Sequence, residues 1–181
     1  MRKSIFIIVA IAVTFFFSNE LLAQNFPGLD KSPMDAAAYP SSYRVSDKLV
    51  KVIYSRPQLK GRGLSALAPQ GKVWRTGANE AAEITFYKDV TFGGKEVKAG
   101  TYTLFTIPGI KEWTVILSTA KNVWGSYFYN ENEDVVRVIA STAKASKSIE
   151  AFSIVFDGEA NNATMHLGWD KVIVSLPIQA L

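Results

Sequence analysis

From residue 42 to residue 181 the chain predicts an all-β domain, a single antiparallel β-sandwich or jelly-roll-like barrel with short helical turns in its loops. Three features predict it. Apolar residues recur at every second position in one run after another. The runs are short and are bounded by glycine, proline or polar clusters. No stretch carries the spacing of an amphipathic helix of ordinary length, so only sheet against sheet can bury the apolar rows.

The first strand of this domain spans Lys48 to Ser55, with Val50, Val52 and Tyr54 on one face, and Pro57 ends it. Ser65 to Pro69 makes one helical turn. After Ala81, Ile84 and Phe86 point one way while Thr85 and Tyr87 point the other. Phe92-Gly93-Gly94-Lys95 and Lys98-Ala99-Gly100 are tight-turn signals on either side of a short strand, and Thr101 to Ile107 follows. Beyond Pro108-Gly109, Trp113, Val115 and Leu117 share a face. Thr119 to Tyr129 reads as a loop or short helix, and Asn130 to Asp134 as an acidic connection. The last third reads as four strands, Val135 to Ala140, Ile149 to Phe156, Ala163 to Trp169 and Lys171 to Pro177. Their inward rows are Phe152, Ile154 and Phe156; Met165, Leu167 and Trp169; and Val172, Val174 and Leu176.

The first 23 residues read differently. Met1-Arg2-Lys3 is a basic start, Ser4 to Ser18 is apolar apart from its polar ends and Thr14, and Leu21-Leu22-Ala23 offers a small residue for cleavage. This is the pattern of a secretory signal peptide cleaved near Ala23, which predicts a periplasmic or secreted protein. No later stretch reaches the roughly 20 apolar residues of a membrane helix, so no span is expected after cleavage. Residues 24–41, rich in proline, glycine, aspartate and alanine, read as a flexible N-terminal arm.

The chain has no cysteine, which excludes disulfides, thiolate metal sites and cysteine nucleophiles. Its formal charge of +4 falls to +3 when Arg2, Lys3 and Glu20 leave with residues 1–23. A balance this mild, without a basic stripe interleaved with aromatics, excludes a nucleic-acid partner.

The stretch that reads most like a site is Gly71-Lys72-Val73-Trp74-Arg75-Thr76-Gly77-Ala78-Asn79-Glu80. An aromatic, a guanidinium, an amide and a carboxylate between glycines suit a loop that presents them to a ligand. Upstream, Arg56, Lys60 and Arg62 crowd a glycine-punctuated segment able to contact an anion, or simply to lie in solvent. Trp74 and Trp124 offer flat faces of the kind on which sugars stack, with Arg75, Asn79 and Glu80 to reach hydroxyls. The alternative uses are structural: the indoles cap the core, and Arg75 pairs with Glu80 to fix the loop.

Other constellations are thinner. His166 is the only histidine and alternates away from the inferred core, so it is a weak candidate for a general base or a single metal ligand. A serine-histidine-acid set can be drawn from Ser55 or Ser65, His166 and Asp170, but no glycine-flanked nucleophile turn accompanies either serine. Asp157-Gly158-Glu159 with Asn161 and Asn162, and separately Glu131, Glu133 and Asp134, carry oxygen ligands without a calcium-loop spacing. Neither a metal nor a cofactor is expected.

Tyr54-Ser55-Arg56-Pro57, Lys60-Gly61-Arg62, the stretch from Gly71 to Glu80, Ala99 to Gly109, Trp124-Gly125 and Trp169-Asp170-Lys171 together resemble the domain-of-unknown-function family numbered twenty-nine eleven, small exported proteins of Gram-negative bacteria. The resemblance runs from about Ser42 to Pro177. It implies a single exported domain with Arg56, Lys60, Arg62, Trp74, Arg75, Asn79, Glu80 and Trp124 as signature positions, and it implies no activity. Between Arg62 and Pro69 this chain departs from the glycine-rich and aromatic residues more usual there.

The residues themselves point to a binding module for a small anionic or sugar-like ligand, held by the two loops facing a common hollow. Two other classes compete with it: a hydrolase or isomerase using Glu80 as general acid or base with His166 assisting, and a structural or interaction protein of the cell envelope.

Overall fold

The computed structural model describes residues 24–181; the signal peptide expected over residues 1–23 lies outside them. The described residues form one nine-stranded antiparallel sheet: β1 (Met34–Tyr39), β2 (Val50–Ser55), β3 (Ala82–Phe86), β4 (Val90–Phe92), β5 (Lys95–Val97), β6 (Gly100–Ile107), β7 (Glu112–Ser118), β8 (Asp134–Glu159) and β9 (Asn162–Ala180). Its spatial order is β1-β2-β3-β6-β7-β8-β9-β4-β5. The fold is all-β and sandwich-like, and the sheet is not closed into a barrel. Helix is limited to α1 (Leu64–Leu67) and a 3₁₀ turn at Glu131–Glu133. Among the described residues no helix is long and apolar enough to cross a membrane.

Alternation sets the layers. Val50, Val52 and Tyr54 of β2, Ile84 and Phe86 of β3, and Trp113, Val115 and Leu117 of β7 are buried in one core with Phe152 and Ile154 of β8 and Met165, Leu167 and Trp169 of β9. These are the rows that period two predicts. Phe105 and Ile116, on the opposite face of β6 and β7, are also buried, because Val123 and Tyr129 from the connection 119–130 pack over them with Ala81. The β4–β5 turn carries Gly93 and Gly94, both at positive φ (56° and 81°), the geometry a two-residue hairpin loop requires.

Two expectations change. The four strands expected in the last third are two, since β8 runs unbroken for 26 residues and β9 for 19. The polar segment from Ser141 to Ser148, which reads as a turn, is strand: β8 pairs with β7 as far as Ser141 and with β9 from Thr142, passing from one layer to the other. Register shifts between Lys144 and Ile149 and between Ile149 and Ser153 give it the bend this needs. Asp170, at φ 50°, bends β9 without ending it.

The N-terminal arm is also more structured than its composition suggests. Residues 34–39 form the edge strand β1, in register from Met34 opposite Ser55 to Tyr39 opposite Val50. Ala36, Ala37 and Ala38 carry no apolar period, so the backbone ladder to β2 places them.

Candidate functional site

The central stretch leaves its strands as a tightly folded loop. Trp74 bridges Thr106 of β6, with Trp74 N–H donating to Thr106 C=O at 2.7 Å and Thr106 N–H returning the bond at 2.9 Å. Thr76 and Asn79 then both take positive φ (54° and 60°), rare for side-chain-bearing residues and rarer for a β-branched one. Thr76 is fully buried, its hydroxyl 3.2 Å from that of Thr106. At Gly77 a Cβ would lie 3.2 Å from the Ser55 carbonyl oxygen, so the loop lies against the end of β2. Strain of this kind persists where surrounding structure fixes it and concentrates at functional sites.

The next residues are clamped to the connection before β8. Ala81 N–H donates to Val123 C=O at 2.8 Å and Gly125 N–H to Asn79 C=O at 2.9 Å, which sets Glu80 opposite Trp124 as an antiparallel pair. Residues so opposed share a face. Trp124 is 59% exposed and Glu80 is exposed beside it. Glu80 also lines a hollow of about 270 Å³ with Tyr54, Ser55, Glu83, Asn122 and the apolar Met34 and Ile53. There Asn122 N–H donates to Glu83 Oε1 at 3.2 Å. Among the described residues Glu80 has no ion-pair partner, and in particular no ion pair joins it to Arg75.

The eight signature positions therefore do not converge on one hollow. Trp74 is 3% exposed and sits in the core, stacked on Trp169 at 5.3 Å between ring centroids, with Trp113 and Phe152 edge-on. Neither of its faces is open. Arg56 ties β1 to β8: Nε donates to Phe152 C=O (3.1 Å), Nη1 to Asp35 (3.0 Å) and Nη2 to Ser153 Oγ (2.7 Å). Arg62 turns back on its own loop, donating to Leu59 and Gln58 carbonyls at 2.9 and 2.8 Å. With Lys60, Lys31, Ser32 and Gln58 it lines a separate shallow hollow. Arg75 is half-buried, its Nε shielded from solvent without a hydrogen-bond partner among the described residues.

Glu131 and Asp134 both contact Arg137 Nη1, at 2.8 and 3.0 Å, so the acidic connection carries its own cation. Tyr129 donates to Asp134 within this network; burial first, then that hydrogen bond, push its phenol well above the ordinary value.

His166 lies elsewhere, on the outer face of β9, where its hollow of about 380 Å³ is lined by Ile149, Ser153, Val155, Asp157, Gly168 and Ile173. Its Nδ1 is 2.8 Å from Ser175 Oγ, and its Nε2 is 3.0 Å from Asp157 Oδ2, off the line of a hydrogen bond. Ser55, Ser65 and Asp170 are not its partners. Ser55 lines the Glu80 hollow, Ser65 and Asp170 line a third, and Asp170 accepts from Ser148. The partner Asp157 was legible from the β8–β9 hairpin: Val155 opposes His166, so Asp157, two residues on, shares its face. Ser175 was not, because only the bend at Asp170 brings it back to His166.

A family model described as Protein of unknown function (DUF2911) matches residues 32–178. No curated protein and no solved structure matches the chain.

Proposed function

The chain belongs to that family, and from this premise we propose that it is an exported module that binds a hydroxyl-rich, sugar-like ligand at the hollow shared by Glu80, Glu83, Asn122 and Ser55. The ligand reaches past the rim of that hollow to Trp124, which stands opposite Glu80 outside the lining, as the stacking face. Export rests on the basic start, apolar run and small cleavage residue of the first 23 positions. One observation carries the binding half: the clamp between residues 79–81 and 123–125 holds a largely exposed indole and an unpaired carboxylate side by side on one face. An aromatic plane for the C–H face of a sugar and carboxylates for its hydroxyls is how such ligands are held.

The same arrangement speaks against an anion at this point. Two carboxylates line the hollow, and the guanidinium groups of Arg56 and Arg62 are taken by acceptors of the chain itself. Lys31, Lys60 and Arg62 line a different hollow. Asn79 contributes through its backbone and Arg75 does not line the site.

The test is a panel of mono- and oligosaccharides scored by thermal shift and calorimetry. A ligand at 100 times its Kd adds about 2.7 kcal/mol, a rise of several degrees. Trp124→Ala and Glu80→Gln each lower affinity by about tenfold or more while leaving the unliganded melting temperature in place. A panel without a single shift, or a shift indifferent to both substitutions, rejects the reading.

A second reading is supported by Glu83 in the same hollow: paired carboxylates are the apparatus of glycoside hydrolysis. It proceeds without His166, which lines another hollow. Release of reducing sugar by the wild-type protein and its loss in Glu80→Gln separate hydrolysis from binding alone.

A further inference from the structure

On the outer face of the β8–β9 layer, away from the Glu80 hollow, three side chains stand in a relay that packing does not require. Ser175 Oγ is 2.8 Å from His166 Nδ1, and His166 Nε2 is 3.0 Å from Asp157 Oδ2. The three come from two distant points of β9 and one of β8, joined by the register that sets Val155 opposite His166 and by the bend at Asp170. A histidine that merely fills a surface position needs one partner for one nitrogen. Here a hydroxyl is hydrogen-bonded to one ring nitrogen and a carboxylate stands 3.0 Å from the other, out of line for a hydrogen bond and a small rotation of Asp157 from making one. This is the order of nucleophile, base and orienting acid.

The surroundings complete the parts of a site. Ser175 is exposed and can meet a solute, whereas His166 is half-buried. The adjoining hollow is walled by Ile149, Val155 and Ile173, apolar side chains with room for a short hydrocarbon group. Gly168 keeps it open, since a Cβ there would lie 2.8 Å from Ile149 Cδ1. Ser175 and Leu176 lie in a gap in the pairing of β9, between Val174, opposite Thr142, and Ile178, opposite Phe92.

We infer that Ser175, His166 and Asp157 form a second functional site, a serine esterase centre that takes esters with a short apolar acyl group. The carboxylate beside Nε2 favours the tautomer with its proton there, which leaves Nδ1 to accept from Ser175. As Ser175 Oγ bonds to the ester carbonyl carbon, its proton passes to Nδ1. Collapse of the tetrahedral species breaks the bond to the alcohol oxygen, and the alcohol leaves with that proton. Water, deprotonated by the same nitrogen, then attacks the acyl-serine, releasing the carboxylic acid and restoring Ser175.

The purified full chain is treated with an alkyl fluorophosphonate and assayed with p-nitrophenyl butyrate. The expected result is a single phosphonyl adduct by intact mass, mapped to Ser175, with turnover of the ester. Ser175→Ala removes both. This exposed hydroxyl is not part of the core, so its removal reads chemistry. His166→Asn lowers labelling and turnover by about 100-fold or more, and Asp157→Asn by a smaller factor. Ser141→Ala, which alters an exposed hydroxyl of β8 outside this hollow, leaves both unchanged. Absence of an adduct on the wild-type protein, an adduct that survives Ser175→Ala, or labelling indifferent to His166→Asn overturns the proposal.

Discussion

Tyr54 joins the two layers at their centre: its hydroxyl, buried, accepts from Ile154 N–H at 2.9 Å and lies 3.3 Å from Ile154 C=O, across 100 positions of sequence. Tyr54→Phe keeps the ring against Phe152, 5.6 Å away edge-on, but leaves a buried N–H without its acceptor. The expected cost is about 1–3 kcal/mol, read as a lower midpoint in denaturant with an unchanged slope. A variant as stable as wild type would show that water replaces the phenol.

The two candidate indoles separate by the kind of loss each causes. Trp74→Ala empties the aromatic centre shared with Trp113, Phe152 and Trp169 and costs about 3–5 kcal/mol. Trp124→Ala removes a ring that is mostly in solvent and leaves stability within about 0.5 kcal/mol. Chemical denaturation of both variants, side by side, checks the contrast.

Arg56 is a tie between elements, and its contacts rank by exposure. Asp35→Ala removes the half-exposed ion pair and an exposed hydrogen bond from Ala36 N–H and costs less than about 1 kcal/mol. Arg56→Ala also leaves Phe152 C=O and Ser153 Oγ without their charged donor and costs about 1–3 kcal/mol. Equal losses in the two variants would reduce the role of Arg56 to the ion pair alone.

Tyr129 gives the alkaline limb of stability a specific source. Burial, then the hydrogen bond to Asp134, raises its phenol above the ordinary value of 10.0, so the folded protein holds this proton more tightly than the unfolded chain. Its contribution is complete below pH 10 and declines as pH rises beyond that, where only the unfolded chain releases the proton. In Tyr129→Phe the fall in stability above pH 10 becomes shallower, measured by urea unfolding from pH 8 to 11.5.

Gly158 tests the hairpin that aligns Asp157 with His166. It sits at φ 141°, and a Cβ there would lie 2.1 Å from the Asn162 carbonyl oxygen. Gly158→Ala must displace backbone, so it destabilises by more than about 1 kcal/mol and lowers fluorophosphonate labelling. Gly28→Ala, which meets nothing within 4 Å, is the neutral control.

Period two made the inward rows legible, because a strand with one buried face repeats its apolar residue at every second position. Ile84 with Phe86, and Trp113 with Val115 and Leu117, are buried as that rule requires. The edge strand β1 escaped it, since three successive alanines have no pattern and only the ladder to β2 orders them. The continuity of β8 escaped it too. The stretch from Ser141 to Ser148 is polar because the strand there is turning between layers, and polarity in a bend looks the same as polarity in a loop. At the candidate site the residue types were legible and their directions were not. Trp74 lies in a polar stretch, yet Phe152 and Trp169, 78 and 95 positions away, enclose it. Glu80 and Trp124 meet through two loops, a relation that no local spacing encodes.

The long strand β8 has a mechanical consequence. Because one uninterrupted run of backbone supplies a member to each half of the sheet, neither half can peel away and leave the other's edge intact. Heat or denaturant should melt the molecule in one cooperative step. A peptide-bond cut between residues 142 and 148 would uncouple the halves without removing an atom from the aromatic centre.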